Sequence, residues 1–97
     1  MFGIFIMNHE LKIWPEHFDN IVIGKKTFEI RKNDRDYKSG DTLILKRFNP
    51  DRQEYTGATC NVYVSHILYG TDNNWGLNRD CCIMSIHLLF VNGQLSI

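Results

Sequence analysis

A mainly β (α+β) fold, a small and partly closed barrel of five to six strands with one early helix, is what this sequence predicts, and three observations predict it. Runs of period-two alternation recur along the chain between turn signals. One stretch alone, from Pro15 to Gly24, carries helical spacing. The chain has only 97 residues, so an open sheet of short strands would leave edges that a curled, nearly closed sheet removes.

Each element follows from its residues. His9, Leu11 and Ile13 alternate with Glu10, Lys12 and Trp14, which predicts a first strand ended by Pro15. Pro15 suits the first helical position, where its missing N–H costs nothing, and Glu16 and Asp19 complement the positive end of the helix dipole. Phe18, Ile21 and Val22 form one apolar stripe, and Gly24 stands where a left-handed cap is needed, so a helix of about two to three turns is expected. Beyond it Thr27, Glu29 and Arg31 alternate with Phe28 and Ile30, and the pattern assigns those two apolar residues to the core. Ser39-Gly40-Asp41 is a turn before a strand from Thr42 to Phe48. Asn49-Pro50-Asp51, with Gly57 closing the segment, predicts a hairpin loop back into a strand from Thr59 to Leu68, where Cys60, Val62, Val64 and Leu68 share a face with His66. A last long strand is expected from Asp80 to Phe90. Asn92-Gly93 then signals a tight turn, so that Leu95 to Ile97 pair back as an extra C-terminal strand within 87–97.

Length and composition predict a single domain over 1–97. Eleven basic and eleven acidic residues cancel, so a nucleic-acid partner does not follow from net charge and any basic surface must come from local clustering. The opening MFGIFIM is apolar but too short for a signal-peptide core or a membrane span, which places the chain in the cytoplasm with no membrane partner. Met7 is a second candidate start, with 1–6 then an N-terminal extension. Cys60, Cys81 and Cys82 form no CxxC, and no Cys/His spacing suits a metal, so free thiols, no metal and no cofactor are expected. Neither GxxxxGK[ST] nor GxGxxG occurs, which leaves nucleotide sites of those kinds without support.

Gly24 to Arg35 carries the chemistry. Period two puts Thr27, Glu29 and Arg31 on one face, with neighbours on that face roughly 6.5 to 7 Å apart, and Lys26 at the strand entry. An ammonium, a hydroxyl, a carboxylate and a guanidinium in line suit a polar planar ligand and its phosphate. The same face also fits a solvated strand with an ion pair, and pattern alone leaves both readings standing. Among the aromatic residues Trp75, in a polar, Gly-containing loop, is the best stacking candidate.

Gly24-Lys25-Lys26-Thr27-Phe28-Glu29-Ile30-Arg31 fits the GxKxxExR pattern of ASCH domains, small β-barrels of the PUA-like superfamily associated with RNA. The wider run HELKIWPEHFDNIVIGKKTFEIRKNDR, followed by SGDTLIL, resembles a narrower family of small bacterial and phage proteins within that superfamily, over roughly His9 to Ile86. The resemblance implies a helix beside a cleft lined by the motif strand, with Lys26, Glu29 and Arg31 facing the ligand. Some ASCH proteins are amidohydrolases acting on 4-acetylcytidine, with a lysine that activates a threonine nucleophile. Lys26 matches that lysine, whereas Glu29 stands where the threonine falls, and a carboxylate is more readily a base or an acceptor.

Residues and resemblance together give the expectation of an RNA- or nucleoside-binding module, with His9, Lys26, Thr27, Glu29, Arg31, Arg35 and Trp75 as ligand-binding candidates. Lys25, Lys26, Arg31, Lys32 and Arg35 supply a local basic excess for phosphates. The alternatives are a small hydrolase of amidohydrolase or ribonuclease type, with Glu29 as general base and Lys26 as electrostatic stabiliser, and an accessory protein of phage or mobile elements that binds a host protein. His9 joins Lys26 as a suspect in the ribonuclease case.

Overall fold

The computed structural model describes residues 6–71 and 76–93. Strand β1 (Asn8–Ile13) leads into helix α1 (Pro15–Val22), followed by β2 (Phe28–Lys32), β3 (Thr42–Asn49), β4 (Glu54–Tyr69) and β5 (Cys81–Asn92). The five strands form one sheet in the order β1-β3-β4-β5-β2. β1 runs parallel to β3, and the other neighbours are antiparallel. The sheet curls into a half-barrel whose two edges, β1 and β2, bound an opening filled in part by α1. Trp75 and the proposed terminal strand at Leu95 to Ile97 lie outside the described residues. Among those that are described, no helix is long and apolar enough to cross a membrane.

The helix forms as its residues dictate. Pro15 occupies the first turn, Phe18 and Ile21 are buried, and the last turn closes with the Ile23 N–H on Asp19 O and the Gly24 N–H on Ile21 O. Gly24 adopts φ +84, the left-handed conformation that a side chain would resist. Asp19 accepts two hydrogen bonds from Arg47 at 3.0 and 3.1 Å, which ties the exposed flank of α1 to β3. Phe18 is fully buried and belongs to the core cluster that includes Leu11, Ile13, Leu43 and Leu45. Burying a side chain of that size contributes on the order of 2–3 kcal/mol.

Strand faces alternate until a bulge intervenes. Ala58, Cys60, Val62 and Val64 point inward along β4, with Val64 opposite Ile86 of β5 and Val62 and Cys60 opposite Leu43 and Leu45 of β3. The β4–β5 register then shifts between Val64 and His66. The extra residue reverses the phase, so Ile67 is the next inward residue and Leu68 is 46% exposed. The expected shared face of Val64, His66 and Leu68 is corrected here, because alternation extrapolated through a bulge assigns each later side chain to the wrong side. A second correction concerns Gly57. β4 already begins at Glu54, so Gly57, at φ +94, sits in an irregularity of the β3–β4 ladder rather than at the end of the hairpin loop. The loop itself is turned by Asn49, whose Oδ1 accepts the N–H groups of Asp51 and Arg52 at 2.9 and 3.2 Å.

Among the described residues the opening between the sheet edges β1 and β2 is spanned by side chains, not by a backbone ladder. Arg31 of β2 donates from Nη2 to Lys12 O at 2.8 Å, and Arg35 donates from Nη1 to Glu10 O at 3.0 Å. Both carbonyls belong to β1, so two arginines close the lower part of the seam while the end beside α1 stays open.

Candidate functional site

The motif strand is built the other way round from the pattern's simplest reading. Phe28 and Ile30 are 45% and 52% exposed, whereas Glu29 between them is 4% exposed. The expected anchoring of Phe28 and Ile30 in the core is therefore corrected: the inward face of β2 carries the charges. A lone buried carboxylate would be costly, and this one is compensated on both oxygens. Lys26 Nζ donates to Glu29 Oε1 at 2.8 Å, and Arg31 Nε donates to Oε2 at 2.8 Å. β2 lies at the edge of the sheet beside an opening, so its two cations reach Glu29 and still border solvent, with side chains 14% and 24% exposed.

Lys26 reaches further. Its Nζ lies 3.1 Å from His17 Nδ1, to which it donates when the imidazole is neutral. The backbone brings this about: the Gly24 turn folds the chain back so that the Lys26 N–H meets Asn20 O at 3.0 Å, beside the flank of α1 that carries His17. The result is one connected line, His17–Lys26–Glu29–Arg31–Lys12 O, crossing from the helix through β2 to β1.

This line forms the floor of a cleft of about 660 Å³. Trp14, Glu16, His17 and Asn20 border one side and Phe28, Ile30 and Lys32 the other. Trp14 is 58% exposed, and Lys26 Nζ stands 5.4 Å from the Phe28 ring centroid. The cleft thus sets apolar surfaces at its mouth and paired charges at its base, the arrangement of a site for a small, partly polar ligand.

Of the sequence-predicted site residues, the structure brings Lys26, Glu29 and Arg31 together. Thr27 precedes β2 with its carbonyl accepting the Ile86 N–H at 3.0 Å and its side chain exposed, and it does not line the cleft. Arg35 is engaged with Glu10 O in the seam. His9 lies elsewhere: it is buried, with Nε2 2.8 Å from Asp41 Oδ2 and its ring edge-on to Tyr37 at 4.8 Å. Period two correctly put His9 on the inward face of β1, and that face packs it under the sheet, away from the cleft.

Sequence reasoning missed His17 and Asp41. A signal for His17 existed, since His17 and Asn20 are three apart on a helix that ends in a glycine turn, but the fold was needed to return Lys26 to that flank. Asp41 passed as a turn residue. It is fully buried and accepts from the Met7 N–H, His9 Nε2 and the Lys38 N–H at 3.0, 2.8 and 2.9 Å. Burial alone would push its carboxyl up, but these hydrogen bonds outweigh it and hold the pKa below the ordinary 3.8.

None of the three cysteines lines the cleft. Cys60 and Cys82 are buried in the core. Desolvation, helped by the Glu29 charge, pushes Cys60 up to about 12, and burial also raises Cys82.

Comparison with known proteins agrees with this architecture. The fold is similar to the crystal structure of ZmASCH S128A mutant protein from Zymomonas mobilis, with a TM-score of 0.59 at 17% identity over 82% of this chain and 67% of that one. The half-barrel with one helix is an ASCH/PUA-like fold. An uncharacterized 12.9 kDa protein in the GpA 3' region of Escherichia phage P2 is 54% identical over 37 residues, 38% of this chain. That match spans about a third (34%) of the phage protein's length. Residues 8–86 match the family described as "Domain of unknown function (DUF3850)", and the chain belongs to that family.

Proposed function

We propose that this protein binds a nucleoside unit, free or within RNA, in the cleft between α1 and β2. One observation carries the reading: a buried carboxylate, Glu29, is held between two cations at the base of a cleft whose mouth exposes Trp14 and Phe28. Exposed aromatic rings offer stacking surfaces for a base, worth about 1–3 kcal/mol each. Lys26 spends N–H groups on His17 and Glu29 and keeps a third for an acceptor of the ligand. Lys32 borders the same cleft and provides charge for a phosphate, while the Lys12 ammonium is turned away over the Phe48 ring at 4.0 Å. The likeness to an ASCH protein supports the reading at the level of fold.

The test is a titration of ribonucleoside 5'-monophosphates and short single-stranded RNAs at low salt. Saturable binding that Lys26→Ala weakens by about tenfold or more is expected. Absence of binding across the panel, or binding indifferent to both Lys26→Ala and Trp14→Ala, would sink the proposal.

Hydrolysis of a nucleoside or RNA is a second reading with one observation in its favour, the Lys26 ammonium held between His17 Nδ1 and Glu29 Oε1. In that reading Lys26 stabilises developing negative charge and Glu29 handles the proton. A Glu29→Gln variant with undiminished turnover removes this assignment.

A further inference from the structure

The register of β2 reveals a recognition element that its side chains do not. Ile86 N–H bonds to Thr27 O at 3.0 Å and Asn33 N–H to Asp80 O at 2.7 Å, and both pairs keep the register Phe28↔Ser85 through Lys32↔Cys81. In an antiparallel ladder the residues that exchange hydrogen bonds alternate. Thr27, Glu29, Arg31 and Asn33 therefore turn their N–H and C=O toward β5. Phe28, Ile30 and Lys32 turn theirs the other way, and β2 is the last strand of the sheet on that side. Among the described residues their backbone groups meet no neighbouring strand. The edge instead borders the cleft, where Phe28, Ile30 and Lys32 form one wall and Trp14 and His17 stand opposite. Arg31 crosses to Lys12 O and Arg35 to Glu10 O farther along the seam, which leaves the Phe28–Ile30 stretch beside Lys26 as the open part of the edge.

On one strand edge, the C=O of residue i and the N–H of residue i+2 sit side by side as an acceptor and a donor. The pairing edge of a nucleobase likewise sets a donor beside an acceptor: the amino group and ring nitrogen of adenine or cytosine, or the imide N–H and carbonyl of uracil or guanine. Resting on the reading of the cleft as a nucleoside site, we infer that the free backbone edge of β2, through Phe28 C=O and Ile30 N–H, hydrogen-bonds the Watson–Crick edge of the base, while Lys26 holds a further acceptor. Two consequences follow. The base is recognised unpaired, since its pairing edge is occupied by protein, so duplex RNA is not the ligand. The pocket also rejects bases methylated on that edge, because a methyl group removes a hydrogen bond and leaves a backbone group unsatisfied.

Nucleotides methylated on the pairing edge, with the base left uncharged, test this directly. AMP is paired with N6,N6-dimethyl-AMP, CMP with N4,N4-dimethyl-CMP, UMP with 3-methyl-UMP and GMP with 1-methyl-GMP, and each is titrated into the intact protein. The expected result is that at least one parent binds and its methylated counterpart binds about tenfold or more weakly, as one or two lost pairing-edge hydrogen bonds predict. The Ile30 amide proton should shift downfield with the parent nucleotide. Ile30→Pro removes that N–H without breaking the β5 ladder, a change tolerated on an edge strand. It should weaken binding about tenfold, and clearly more than Ile30→Ala, which trims the same side chain but keeps the N–H. Methylated and parent nucleotides binding equally, with binding still dependent on Lys26, would overturn the inference and leave the nucleoside site standing. Failure of every parent nucleotide to bind overturns both. A response of the same amides to an unstructured peptide and to no nucleotide also overturns it, and makes the edge a strand-addition surface. If Ile30→Pro does not fold, the methylated pairs decide.

Discussion

Asp41 and Glu29 are both buried carboxylates in the same half-barrel, yet they are held in opposite ways. Asp41 accepts two of its three hydrogen bonds from backbone N–H groups, those of Met7 and Lys38, and the third from His9, which is itself buried. Glu29 is compensated only by side chains, Lys26 and Arg31, both bordering an open cleft. Backbone donors are fixed by the fold and cannot be redirected without unfolding. Side-chain cations can shift toward a ligand and keep spare donors while doing so. The difference identifies Asp41 as a fastening between the start of β1, the 38–41 turn and β3, and Glu29 as the anchor of a group that can respond to what enters the cleft.

The largest effect that could break this contrast is on stability. Asp41→Ala leaves two partly buried N–H groups and the buried His9 without an acceptor and should cost about 2–3 kcal/mol in denaturant unfolding, the lower end of about 1–3 kcal/mol applying to each partly solvated group. A loss below 1 kcal/mol would remove Asp41 from its role as a fastening. Next comes Arg31→Ala, which deprives Glu29 of one partner and the seam of its Lys12 contact. About 1–3 kcal/mol is expected, less than full loss of a buried pair because the guanidinium is partly solvated.

pH tests the Asp41 side of the contrast. The folded pKa of Asp41 lies below its ordinary 3.8. The group therefore contributes stability that is complete above the ordinary carboxylate range and is lost as pH falls through the lower folded value. Acid unfolding between about pH 4 and 2 should accordingly be steeper in the native protein than in Asp41→Asn, measured by urea midpoints across that range. Parallel curves would contradict the sign of the shift.

The last comparison lies within the sheet, and its Leu68 member has the smallest expected effect. Ile67→Ala should destabilise by about 2 kcal/mol or more, and Leu68→Ala by under about 1, because the bulge after Val64 turns Ile67 inward. A larger cost at Leu68 would mean that β4 keeps its phase through Ser65.

Sequence made the elements legible wherever local physics decides them. Pro15, the Phe18–Ile21–Val22 stripe and Gly24 specify α1 almost residue by residue, and alternation places His9, Leu11 and Ile13 on one face of β1. It failed where a decision belongs to the sheet as a whole. Nothing local marks the bulge after Val64. Nor does alternation say which face of β2 is inward, since Phe28 and Ile30 look like core residues until the strand is seen at an edge beside a cleft, with Lys26 and Arg31 compensating Glu29. The GxKxxExR face was legible as a unit because its members share a parity. His17 was not, since only the turn at Gly24 brings it within 3.1 Å of Lys26.

The most direct test of the contrast is an amide chemical-shift map of the protein titrated with AMP and UMP. The account predicts that shifts cluster on Trp14, His17 and residues 26–32, with His9, Asp41 and the surrounding turn unmoved. Shifts centred on His9 and Asp41, or on the outer face around Leu68 and Ile83, would contradict the assignment of Glu29 and its cations as the responsive site.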